Sequence, residues 1–162
     1  MAISNPVLIE AMEETADRLE QGAAYSWSHM GRCNCGHLAQ TVTRLHPGDI
    51  HQRALRGQGN WTEQTEHYTP YCPITGNPLD GVIDRLVEIG LNTNDIRRLE
   101  YLSDPKVLKR LPGGFRHLRR NCREDLVVYL RTWAGTLRQA LPAAARPQGA
   151  PRQQVERPVP VA

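Results

Sequence analysis

Two thiols and two imidazoles fall within nine residues, His29-Met-Gly-Arg-Cys33-Asn-Cys35-Gly-His37, in a chain with only four cysteines and six histidines. A third thiol follows in His67-Tyr-Thr-Pro-Tyr-Cys72-Pro73. Thiolates and imidazoles are the usual ligands of structural zinc, at about 2.3 Å from sulfur and about 2.0 Å from nitrogen. Cys72 precedes a proline, which holds its backbone extended. If the turn bearing Cys72 folds back on the first cluster, then Cys33, Cys35 and Cys72 with one of His29, His37 or His67 complete a Cys3His set. The metal would then stitch the 29–37 loop to the 67–73 turn and support a core poor in aromatic residues. Zinc is the expected ion, with iron as the alternative. A disulfide between Cys33 and Cys35 is disfavoured, because one intervening residue strains the bridge geometry.

The same residues permit nucleophilic chemistry. Periodicity places a helix from about Gly36 to Leu45, so Cys35 stands at or just before its start. A helix N-terminus and the neighbouring Arg32 both favour a thiolate, which would lower the Cys35 pKa. The run GRCNCGHLAQTVTRL resembles the nucleophile helix of papain-like and transglutaminase-like enzymes, with Cys35-Gly36-His37-Leu38-Ala39 as the matching stretch. The resemblance implies Cys35 as nucleophile and a catalytic His and Asp on later β-strands. In a helical chain, His67 or His29 is the base available instead. The third expectation is a non-catalytic interaction module using the basic face or the C-terminal tail, the cysteines then being small buried hydrophobes. Cys122 fits that description, having no companion ligand nearby in sequence.

Other clusters point less sharply. Glu63, Glu66 and His67 lie close together, but no E-x-x-H motif recurs as a di-iron bundle requires. Tyr25, Trp27, Trp61, Tyr68 and Tyr71 surround the thiol segments and are expected to fill and order an irregular loop. Arg116, His117, Arg119, Arg120 and Arg123 form a basic cluster, read as a solvated face with local salt bridges to Glu124 and Asp125. Leu111-Pro-Gly-Gly-Phe115 matches neither a phosphate-binding loop nor a dinucleotide fingerprint and reads as a hinge.

The elements that must position these groups are helices. Asn5-Pro6 opens the first, with Val7, Leu8, Ala11, Met12, Thr15 and Leu19 as its apolar stripe and Gly22 as its stop. Asp49 is expected to cap a third helix and Asn60 a short fourth. Pro78–Ile89 follows the start signal Asn77-Pro78. Thr93 is expected to cap the next, burying Ile96, Leu99, Tyr101 and Leu102. Ser103 or Asp104 starts a short helix at Pro105. A long helix from Asn121 or Cys122 to about Leu141 turns Leu126, Val127, Leu130, Trp133 and Leu137 inward. No alternating β-run of useful length occurs. The expected fold is therefore mainly α, a compact orthogonal multi-helix domain over residues 1–142 with an irregular Cys/His-rich loop. Residues 143–162, rich in Pro, Ala, Gln and Arg, are expected to be a disordered tail.

No apolar run approaches the roughly 20 residues needed to span a bilayer. The N-terminus lacks a basic start followed by an apolar run, so a cytoplasmic location with reduced thiols is expected. The net charge of +3 is too weak by itself to argue for nucleic acid, which is not an expected partner. Nothing in the sequence specifies a partner or an oligomeric state.

Overall fold

A computed structural model describes residues 2–56, 59–66, 68 and 81–145. Eight α-helices follow in chain order: α1 (Pro6–Glu20), α2 (Asn34–Thr43), α3 (Pro47–Leu55), α4 (Trp61–Glu66), α5 (Val82–Glu88), α6 (Thr93–Tyr101), α7 (Pro105–Leu108) and α8 (Arg123–Ala140). No strand occurs among the described residues. The mainly helical class read from periodicity is thus the observed one.

Capping chemistry explains where the helices begin. The Leu8 amide donates to Asn5 Oδ1 at 3.0 Å, and Pro6 occupies the first turn of α1. Asn60 receives the Glu63 amide at the start of α4. Asp104 receives the Lys106 amide before α7. Two expected caps are displaced by one to three residues. His46, not Asp49, caps α3, its Nδ1 accepting the Gly48 amide; Asp49 sits inside the first turn. Asn92, not Thr93, caps α6 and forms a reciprocal box with Asp95. The start signal Asn77-Pro78 lies outside the described residues, and α5 is seen from Val82 with Gly81 as its cap.

The core joins two layers of contact. α1 packs along α8 through Leu8, Met12, Leu19, Leu130, Trp133 and Leu137, all essentially buried. α2 is the hub, touching α1, α3, α5 and α6. A helix contacted on so many sides has little room for a polar face. Accordingly Asn34, Cys35, Gly36, His37, Leu38, Ala39 and Thr41 are all buried. Two apolar residues depart from their expected inward positions. Val7 is 60% exposed and Tyr101 36% exposed, each at the edge of its helix's buried stripe.

At the surface, Arg131 on α8 holds Asp17 at 2.7 Å and Glu20 at 2.8 Å on α1. Ser4 reaches back to donate to the Leu137 carbonyl, tying the N-terminal segment to α8. Ala143–Ala145 form a short 3-10 turn, so the segment after Pro142 begins with local order. Residues 146–162, most of the expected tail, lie outside the described residues. No helix of the described residues is long and apolar enough to cross a membrane.

Candidate functional site

The backbone around the thiols is set by close approach. An ideal Cβ on Gly36 would lie 2.3 Å from the Met30 carbonyl oxygen and 2.5 Å from the Gly31 carbonyl carbon. One on Gly31 would lie 2.0 Å from the Pro47 carbonyl oxygen. Three backbone stretches therefore meet where only glycine fits. This contact docks the 24–33 loop onto the first turn of α2. The Trp61 indole N–H donates to the Met30 carbonyl at 3.1 Å, and Gln40 donates to the Gly31 carbonyl at 2.6 Å. The aromatic residues do support the loop: Trp61 is fully buried, and Tyr25, Trp27 and Met30 pack against the core.

Helix α2 starts earlier than its periodicity suggests, with Cys33 as N-cap and Cys35 inside the first turn. Both thiols turn inward, with 1% and 0% exposure. They meet Glu100 from the last turn of α6. Glu100 Oε2 accepts the Cys35 amide at 3.0 Å and stands 3.6 Å from Cys33 Sγ. The Cys35 thiol donates to the Ile96 carbonyl at 3.3 Å, while Cys33 Sγ is also 3.6 Å from the Met30 carbonyl. Beside them Asn34 donates to the carbonyls of Glu100 at 2.7 Å and Arg120 at 2.9 Å. The Tyr25 hydroxyl lies 2.8 Å from Asn34 Oδ1 and 3.0 Å from the Arg120 carbonyl. A buried polar knot thus links the 24–33 loop, α2, α6 and the segment before α8.

Its electrostatics reverse one sequence expectation. The helix start and Arg32 were expected to lower the Cys35 pKa. Instead burial and the adjacent Glu100 carboxylate push it well above the ordinary thiol value. Burial and Glu100 raise Cys33 in the same way, against a smaller opposing pull from the Gly36 amide and the Trp61 indole. Desolvation in an apolar surround outweighs the helix dipole, whose influence extends only over the first turn. Glu100 is itself raised by burial, although the hydrogen bonds from Cys35 and Cys33 partly offset that.

The histidines are placed elsewhere. His37 is buried, with Nε2 3.0 Å from the Ala24 carbonyl and its ring stacked on Tyr25. Burial, with Arg18 adding repulsion, pulls its pKa from 6.5 down to about 4. His29 stacks on His51 with ring centroids 4.2 Å apart, and its Nδ1 accepts the Gly31 amide. His67 and Cys72 lie outside the described residues, as does Tyr71 with the rest of 69–80. Of the proposed ligands, the described structure therefore brings together Cys33 and Cys35. It occupies one nitrogen each of His37 and His29 with backbone partners. No group of three His, Cys, Asp or Glu with metal-holding geometry is found among the described residues. Cys122 is partly exposed, with its sulfur beside Arg119 and Glu124, and forms no disulfide.

Sequence reasoning passed over Glu100 and Asn34. The signal for Glu100 was present: it stands four residues after Ile96, on the apolar stripe of α6, where a charged residue is out of pattern. A Cys35 nucleophile would need an open approach to sulfur, and its complete burial provides none. The strands on which the papain-like and transglutaminase-like families carry their His and Asp are absent from the described residues. A concavity of about 890 Å³ is lined by Trp61, Tyr68, Val82 and Asp84 among others.

Compared with known proteins, the chain matches no family model, and neither a curated protein nor a solved structure is similar to it.

Proposed function

We propose that the chain is a small metal-binding protein whose zinc ligands are Cys33 and Cys35, completed from Cys72 and a histidine, with Glu100 beside the two thiols. One observation carries the reading: the Glu100 carboxyl is buried against both thiols, meeting the Cys35 amide and Cys33 Sγ but no lysine, arginine or histidine among the described residues. Carboxylates are almost never buried unpaired, because removing the charge from water costs several kcal/mol. A divalent cation supplies the missing charge. The chemistry of the neighbours supports zinc, since both are thiols. Cys35 enters by turning from the Ile96 carbonyl, and Cys72 and a histidine are the expected further ligands. Binding releases the thiol protons, so affinity rises with pH.

A second reading has its own support. The Cys35 thiol already has an acceptor in Ile96, and Glu100 already accepts a backbone amide. On that reading the knot is a proton-satisfied staple holding α6 to α2, and the domain serves only as a scaffold. Elemental analysis of the natively purified chain separates the two. Zinc near one equivalent, retained on dialysis and lost in Cys33→Ser and Glu100→Gln, is the expected result. Absence of zinc and iron, together with no sulfur-to-cobalt charge-transfer band when cobalt is titrated in, leaves the staple.

A further inference from the structure

Charge is not spread evenly over this chain. Between Asp104 and Glu124 the sequence carries seven lysines and arginines plus His117, and no acidic residue. The modest net charge of +3 conceals this segregation. Asp125 and Glu124 draw off Arg119 and Arg123. Lys106, Lys109, Arg110, Arg116 and Arg120 have no carboxylate partner among the described residues, and all five are exposed.

Aromatic surface lies on the same segment. Phe115 is 54% exposed, directly after Gly113 and Gly114, whose φ values of 85° and 94° turn the loop outward. His117 meets its ring edge-on, with centroids 5.2 Å apart. The Arg120 guanidinium lies 5.5 Å from the Trp27 ring centroid and 5.3 Å from that of Tyr101. Flat guanidinium and aromatic faces thus alternate with unpaired positive charge.

We propose that this face binds single-stranded nucleic acid. Lys109, Arg110 and Arg116 take phosphates along the strand, and Phe115 and the Arg120 platform stack on unpaired bases. The alternatives fit less well. Paired bases would hide the faces that Phe115 needs. An anionic membrane would find one exposed phenylalanine, too little apolar area for a lasting anchor even with the basic residues. An acidic peptide would use the charges and leave the aromatic ring idle.

The test is fluorescence anisotropy of the full chain with labelled 12-mers of oligouridine and oligodeoxythymidine across a salt series. The expected result is saturable binding that weakens with salt by roughly 0.7 log units per log unit for each phosphate engaged. Phe115→Ala should weaken it by about ten-fold or more with little change in that slope. Lys109→Gln and Arg116→Gln should each make the slope shallower by about 0.7. All three side chains are exposed, so thermal melts should match the wild type. No saturation at low salt overturns the proposal, as does a Phe115→Ala protein that binds like wild type. Equal or tighter binding to phosphatidylserine vesicles or to polyglutamate overturns it in favour of those partners.

Discussion

The backbone amide of Cys35 is held at 3.0 Å by the carboxylate of Glu100, a residue 65 positions away. This one bond fixes the first turn of α2 to the last turn of α6 and puts a negative group against two dry thiols. Substitutions at Glu100 should therefore separate charge from hydrogen bonding. In metal-free protein at neutral pH, Glu100→Gln keeps an acceptor and removes a buried charge, so its stability should fall within about 1 kcal/mol of wild type or above it. Glu100→Ala strands the Cys35 amide and leaves a void, and should lose about 2 kcal/mol or more. Urea denaturation measures both. A Gln variant as damaged as the Ala variant would show that the charge itself holds the site together.

The thiols should differ sharply in reactivity. Cys33 and Cys35 are buried with raised pKa values, while Cys122 is partly exposed at the start of α8. Alkylation under native conditions, located by mass spectrometry, should modify Cys122 before Cys33 and Cys35. Cys33 and Cys35 should react only at the rate at which the domain opens, and should become fast in urea. Rapid native labelling of Cys35 would restore the nucleophile that its burial argues against.

The positions of the helices were legible because apolar spacing and cap residues act locally. The inward stripe Leu126, Val127, Leu130, Trp133 and Leu137 of α8 is buried as its 3.6-residue period requires. The clustering of Cys33 and Cys35 was legible as well. Their environment was not. The helix dipole and Arg32 are visible within a few residues of sequence, whereas desolvation and Glu100 come from chain 65 positions on, and these decide the sign of the pKa shift. His37 illustrates the same limit. Its spacing suggested a ligand, but α1, the Ala24 carbonyl and the Tyr25 ring enclose it from outside its own helix.

That enclosure predicts a pH dependence. His37 titrates at about 4 in the folded chain against 6.5 ordinarily, so the unfolded chain binds its proton first. Its contribution to stability is complete above pH 6.5, declines as pH falls toward 4, and is spent below that. His29, also lowered, acts in the same direction. From pH 6.5 to 5, metal-free wild type should lose about 1.5 kcal/mol more than His37→Gln, whose amide still reaches the Ala24 carbonyl. Urea titrations of both proteins at the two pH values give the difference directly. Parallel pH profiles would mean that His37 is solvated or already charged.

Two glycine substitutions with opposite expected signs test whether backbone packing at the loop is as tight as described. Gly135 lies within α8, and an added Cβ meets nothing within 4 Å. Alanine there removes backbone freedom from the unfolded chain at no steric cost, so Gly135→Ala should stabilise by about 0.5–1 kcal/mol. Gly36 is also helical, and propensity alone would favour alanine by a similar amount. Its Cβ, however, would sit 2.3 Å from the Met30 carbonyl oxygen, which is backbone and cannot rotate away. Relief requires the 30–31 segment to lift from α2, and Gly31 is itself pressed against the Pro47 carbonyl. Gly36→Ala should therefore cost at least about 3 kcal/mol, the upper range for overpacking, and should expose Cys33 and Cys35 to alkylation as the loop lifts. Thermal melts and native labelling of the two variants, side by side, read out both consequences. If Gly36→Ala stabilised the chain as Gly135→Ala does, the loop would not be docked on α2, and the thiols would lose the cover that keeps them dry.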